Sequence, residues 1–149
     1  MSSKNLAKIS VVCVLLLLLS ATVVFAKDKG VVYYLCPNQF DEMQTAAAGM
    51  IKDAVEKAGY TCRVVTSGNE DVSLQLNQLD NAISQKPKAI IVAAVDGIAI
   101  CSGIDIARAA GIPVIAFDRV ISDTKVDFHS VAGCKLMGIK AGHEIVRLL

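Results

Sequence analysis

The sequence predicts an α/β fold, a doubly wound parallel sheet with strand order 2-1-3-4-5. Three observations carry this. Residues 31–35 and 89–95 are apolar throughout, the pattern of strands buried on both faces. Such runs alternate with amphipathic stretches long enough for the helical crossovers that parallel neighbours need. Unusual polar and aromatic residues follow the strands at 36–40, 96–97 and 118–119. In a sheet of this kind those are the carboxyl ends of strands, outside which ligands bind.

The elements follow in order. After the strand at 31–35, Asp41 is placed to cap a helix, with Gln44 three residues on completing a capping-box-like pair. Met43, Ala47, Met50, Ile51, Ala54, Val55 and Ala58 recur at helical spacing, and Gly59 ends the run. A second strand spans 61–66. The turn Ser67-Gly68-Asn69-Glu70-Asp71 opens a helix with Val72, Leu76, Leu79 and Ile83 on its apolar face, stopped by Lys86-Pro87-Lys88. The third strand is expected at 89–95. A third helix, marked by Ile100, Ile104 and Ala107, closes at Gly111 and Pro113. Strands at 114–117 and 126–131 flank a polar turn, and a last helix covers 136–149 without a cap.

Residues 1–26 read as a signal peptide rather than part of the fold. Lys4 and Lys8 precede an uncharged apolar core, and Val24-Phe25-Ala26 resembles an A-x-A cleavage site. A retained membrane anchor is the competing reading, because 9–26 is just long enough to span. Cys13 sits mid-core, not in a lipid-attachment context. Removing Lys4 and Lys8 takes the 15 basic and 14 acidic residues to 13 and 14, a net charge of −1. That balance points to neither nucleic acid nor an anionic membrane surface as a partner. Export permits disulfides. The fold, however, puts Cys36 and Cys62 at opposite strand ends, and Cys36 and Cys134 about 14 Å apart at ordinary strand spacing. A bridge needs Cα atoms within about 7 Å, so free, mostly buried cysteines are expected. There is no CxxC, and neither a metal nor a cofactor is expected.

Ile112-Pro113-Val114-Ile115-Ala116-Phe117-Asp118-Arg119 delivers an acid and a guanidinium side by side at a strand's carboxyl end. Sugar hydroxyls each donate and accept, and this pair supplies both partners. Alone it could equally be a surface ion pair. Asn38 and Gln39 either cap the next helix or reach a ligand. Phe40 either tucks under the first helix or presents its face to a sugar ring. Asp96-Gly97 serves as a turn or adds an acceptor. His129 and His143 are read as packing residues. Catalysis has little support: no G-x-S-x-G, H-E-x-x-H, P-loop or G-x-G-x-x-G occurs. Gly138-Ile139-Lys140-Ala141-Gly142 matches a membrane-helix packing spacing, but its charged neighbours argue against a bilayer.

Phe117-Asp118-Arg119-Val120-Ile121-Ser122-Asp123, Val126-Asp127-Phe128, Gly68-Asn69-Glu70 and residues 76–83 together resemble the sugar-binding branch of the type I periplasmic binding proteins, its xylose- and ribose-binding group above all. The resemblance covers the whole chain after the leader. It implies an exported, non-enzymatic, periplasmic receptor whose two lobes close over a monosaccharide and hand it to an ABC permease. It also implies that Asp118 and Arg119 bind ring hydroxyls, Phe40 stacks on the ring and Asn38 adds a polar contact; Gln39 and Asp96 complete the candidate set. The chain departs from the family in having Asp41 in the first loop and Gly133-Cys134 where Asp-Asn is usual.

On this resemblance residues 27–132 form the amino-terminal lobe and 133–149 the first helix of a second lobe. Leu136, Ile139 and Val146 would then offer an apolar face, open to self-association. A receptor holding sugar near micromolar gains about 8 kcal/mol, so half its contacts predict weak or absent binding, roughly millimolar. A sensor subunit for chemotaxis or signalling and a flavodoxin-like enzyme are the alternative readings. A repressor is disfavoured, since the leader occupies the place of its DNA-binding headpiece.

Overall fold

The computed structural model describes residues 28–149. The leader, its cleavage site and Cys13 lie outside the described residues. Five parallel strands, β1 (Val31–Cys36), β2 (Thr61–Thr66), β3 (Ala89–Val92), β4 (Val114–Phe117) and β5 (Phe128–Ser130), are ordered β2-β1-β3-β4-β5, as the sequence predicts. Four helices alternate with them: α1 (Glu42–Lys57), α2 (Val72–Ser84), α3 (Cys101–Ala109) and α4 (Cys134–Leu148).

Strand alternation divides the core. Tyr33, Leu35, Ile90, Val92, Val114 and Ala116 face α2 and α3, where Leu79, Ala82, Ile104 and Ala107 complete the larger cluster. Tyr34, Cys36 and Ala93 face α1 through Ala48, with Ile51, Val64, Ile91 and Phe117 packed at the margin. Both faces of β1 and β3 are covered, which is why these strands read as unbroken apolar runs. Register pairs Leu35 with both Val65 and Val92, and Ile91 with Ile115, so the strand exits line up along one edge.

Several expectations need correction. β3 ends at Val92, not residue 95. Ala93 and Ala94 are buried beyond it, and the Ala93 N–H still donates to the Leu35 carbonyl of β1 at 3.0 Å. β5 is only three residues long because Asp127 replaces part of the ladder: its N–H donates to the Val114 carbonyl at 2.8 Å, and its Oδ2 accepts from the Val114 N–H at 2.8 Å. Met43 and Met50 share the helical stripe yet are exposed, since α1 is sunk only through Gln44, Ala47 and Ala48. His129 and His143 are exposed rather than packed. α4 starts at Cys134, two residues early, and Leu136, Ile139 and Val146 are exposed along it. Cys36 and Cys62 are buried free thiols and Cys101 a half-buried one.

Candidate functional site

Two tight loops frame the carboxyl edge of the sheet. The β1–α1 loop leaves Cys36 and is sewn to the β2–α2 loop. Ser67 is buried, and its hydroxyl donates to the Pro37 carbonyl at 2.8 Å; the Glu70 N–H donates to the same carbonyl at 3.3 Å. The Cys36 thiol donates to the Asn38 carbonyl at 2.7 Å, and burial raises its pKa. Asp41 caps α1 by accepting from the Met43 N–H at 2.8 Å. The reciprocal half of the cap differs from expectation. The Asp41 N–H donates to Asn38 Oδ1 at 3.2 Å, which leaves Gln44 free for another role.

That role lies inside the fold. Gln44 is 2% exposed. Its Oε1 accepts from the Tyr34 hydroxyl at 3.3 Å, and its Nε2 donates to Asp118 Oδ2 at 2.9 Å. Tyr34 is itself fully buried, and burial pushes its phenol pKa well above the usual tyrosine value. Its ring meets Phe117 edge-on, centroids 6.0 Å apart. Asp118 is thereby gripped from the core side, while its N–H donates to the Ser130 carbonyl at 2.8 Å.

Arg119 reaches the other way. Its Nη1 donates to the carbonyls of Ala94 at 3.2 Å and Val95 at 3.5 Å, and its Nη2 pairs with Glu70 Oε1. Glu70 Oε1 also accepts from Asn38 Nδ2 at 2.9 Å. The Arg119 guanidinium, ahead of Asn38, holds the Glu70 carboxyl below its ordinary pKa. Glu70 and Asp118 both adopt left-handed backbone, φ 61 and φ 63, a conformation non-glycine residues rarely occupy. Backbone strain of this sort persists where the surroundings over-determine it, and it clusters at functional sites.

The six residues singled out in the sequence therefore divide. Asn38 and Arg119 share the Glu70 network at the carboxyl edge, and the adjacent Asp118 ends a separate one that runs through Gln44 to Tyr34. Phe40 is 79% exposed, not tucked beneath α1, and borders an open depression with Asn38, Asp41, Asn69 and Glu70. Gln39 is exposed and holds the loop through its carbonyl, which accepts from the Thr45 hydroxyl at 3.0 Å. Asp96 acts as a turn residue: its Oδ1 accepts from the N–H groups of Ile98 at 2.8 Å and Ala99 at 2.9 Å, and these bonds lower its pKa. Gln44, Glu70 and Tyr34 join the site without having been singled out. For Gln44 the signal was present: positions 44, 48 and 51 share a helix face, so it belongs to the buried stripe.

Asp41, Glu70, Asp71 and Asp118 lie on this edge; Glu70 pairs with the Arg119 guanidinium, and Lys135 lines the groove that Asp118 borders. Among the described residues no group of His, Cys, Asp and Glu could hold a metal ion. An acceptor and a donor fork set side by side, with an exposed aromatic ring nearby, suit a small uncharged polyol.

The family model for the periplasmic binding protein domain matches residues 32–149. The chain belongs to the periplasmic binding protein family. It is 30% identical over 123 residues to the multiple sugar-binding periplasmic receptor of Rhizobium radiobacter, covering 82% of this chain and 34% of that protein. Against the D-apiose import binding protein of Actinobacillus succinogenes, identity is 30% over 131 residues, 88% of this chain and 42% of the relative. A solved ABC transporter solute-binding protein from Clostridium phytofermentans, with bound β-D-glucose, matches at TM-score 0.73 and 26% identity, over 77% of this chain and 36% of that one. The chain thus spans between a third and a half of the length of these relatives.

Proposed function

We propose that the chain supplies one lobe of an exported, non-enzymatic receptor for a neutral monosaccharide, xylose- or ribose-like, that delivers sugar to an ABC permease in the membrane. Residues 27–132 act as the amino-terminal lobe and 133–149 as the first helix of a second one. The observation that carries this is the Asp118–Arg119 pair at the β4 exit, each member braced from behind, Asp118 by Gln44 and Arg119 by Glu70 and the Ala94 and Val95 carbonyls beyond β3. A braced acceptor beside a braced donor can meet both halves of a hydroxyl without first reorganising. Phe40 offers an apolar ring face in the depression bordered by Asn38 and by Glu70, the partner of Arg119, and Asn38 holds Glu70 in place.

Electrostatics narrows the ligand. Glu70 already pairs with Arg119, so a carboxylate or phosphate ligand would have to displace Glu70 to reach that guanidinium. The turn ahead of α1 argues the same way. Asp41 occupies the helix amino terminus that a nucleotide or flavin phosphate would need, which disfavours the flavodoxin-like enzyme. The relatives named above as sugar receptors support the neutral-sugar reading, and their periplasmic names agree with the leader at residues 1–26 as an export signal cleaved near Ala26.

The test is a parallel titration with D-xylose, D-ribose and D-glucuronate, followed by NMR. Saturable shifts at Asp118 and Arg119 with a neutral sugar, and none with glucuronate, are expected. Preferential binding of the uronate would overturn the reading.

A further inference from the structure

A buried glutamine with both amide heteroatoms engaged is an orienting device, and Gln44 is one. Asp118 as a carboxylate can only accept, so the end of the Gln44 amide facing it must be the NH2 group. The opposite end, Oε1, then requires a donor. The Tyr34 hydroxyl supplies it, from a residue with no exposed surface. The relay Tyr34–Gln44–Asp118 therefore has a fixed sense and is anchored in the core at one end. Its other end reaches the sheet edge, where Asp118 borders an open groove of about 560 Å³ with Val120, Val131 and Leu136.

We propose that Gln44 is a positioning residue for Asp118: by occupying Oδ2 it sets the carboxylate's orientation and leaves Oδ1 to accept a ligand hydroxyl. This rests on Asp118 being a ligand acceptor, as proposed above. Two features support it independently of any ligand. Gln44 sits on the helix face that otherwise buries only alanines, Ala47 and Ala48. A leucine or methionine there would fill the space but leave the buried Tyr34 hydroxyl without its acceptor, so the amide at that position is explained by its bonds. Asp118 is held in the left-handed region, which a bond to its side chain from 74 residues earlier helps to maintain.

The experiment uses the full exported chain and two readouts. The first needs no ligand. Hydrogen exchange of the Gln44 side-chain NH2 should be slowed at least about tenfold relative to that of the exposed Gln39, and Asp118→Ala should abolish the slowing. The second is D-xylose and D-ribose affinity of the folded protein. Gln44→Met should weaken it about tenfold or more, the loss expected for a hydrogen bond to a charged group. Tyr34→Phe, which keeps Gln44 but frees its amide to rotate, should weaken it about two- to threefold. A packing role alone would lower the unfolding temperature and leave the affinity of the folded fraction unchanged. Slowed exchange that survives Asp118→Ala, or parental affinity in both variants, would overturn the proposal. A parent that binds no neutral sugar overturns the receptor reading and the ligand role of Gln44 with it. In that case the exchange measurement still decides whether the amide orients the carboxylate.

Discussion

Replacing Gln75 by leucine should be among the most damaging single changes outside the strands. Gln75 is 2% exposed on α2 and clamps the segment that follows β3. Its Nε2 donates to the Ala93 carbonyl at 3.0 Å, and its Oε1 accepts from the Val95 N–H at 2.8 Å. Leucine matches its volume but leaves both backbone groups without their side-chain partner. Each such group costs about 1–3 kcal/mol, offset in part by roughly 1.5–3 kcal/mol for burying the apolar side chain. At the middle of these ranges the net loss is about 2 kcal/mol. For a folded unit of this size about 1 kcal/mol corresponds to roughly 4 °C, so thermal unfolding followed by circular dichroism should shift down by about 8 °C. The folded protein should also bind sugar less well, because the neighbouring Ala94 and Val95 carbonyls hold Arg119. A shift of less than about 2 °C would refute the claim that this amide replaces the missing strand ladder.

Gly97 has no room for a side chain, since an added Cβ would lie 2.8 Å from the Val120 carbonyl oxygen. Gly97→Ala should therefore cost about 1–3 kcal/mol, whereas Gly138→Ala on α4, with nothing within 4 Å, should be neutral or stabilising by up to about 1 kcal/mol; paired thermal melts decide it. Phe40→Ala should leave stability within about 0.5 kcal/mol, as expected for an exposed site, yet weaken sugar binding severalfold if the ring stacks. Titration should also show in the stability profile. Glu70, paired with Arg119, and Asp127, holding the Val114 N–H, have folded pKa values below their ordinary 4.5 and 3.8. Their contribution is complete above those values and is lost as pH falls through the lower folded ones, so denaturant midpoints should decline below about pH 4. Tyr34 works in the opposite direction. Burial keeps its phenol protonated, so stability should fall as pH rises beyond its ordinary 10.0, and Tyr34→Phe should remove that alkaline limb.

The sheet was legible because each strand carries its own signature and the crossovers leave little choice of order. Legibility failed where side chains take over backbone work. Residues 93–95 read as strand because they are apolar, but Gln75 supplies bonds that a neighbouring strand would have made. Asp127 does the same beside β4, which shortens β5. Gln44 looked like half of a capping box because local spacing cannot reveal a partner 74 residues away. Glu70 was visible in the turn after β2, yet its pairing with Arg119 depends on two loops meeting at the sheet edge. Asp118 and Arg119 could be found early because the order of strands alone places them at the carboxyl edge.

Backbone NMR of the chain titrated with D-xylose and D-ribose to tens of millimolar tests the central claim most directly, because weak half-site binding still moves resonances. The account predicts saturable shifts centred on Asn38, Phe40, Asp118 and Arg119 with an affinity on the order of millimolar, lost in Asp118→Ala and Arg119→Ala. A folded sample whose resonances at these four residues do not move with any neutral sugar would contradict it.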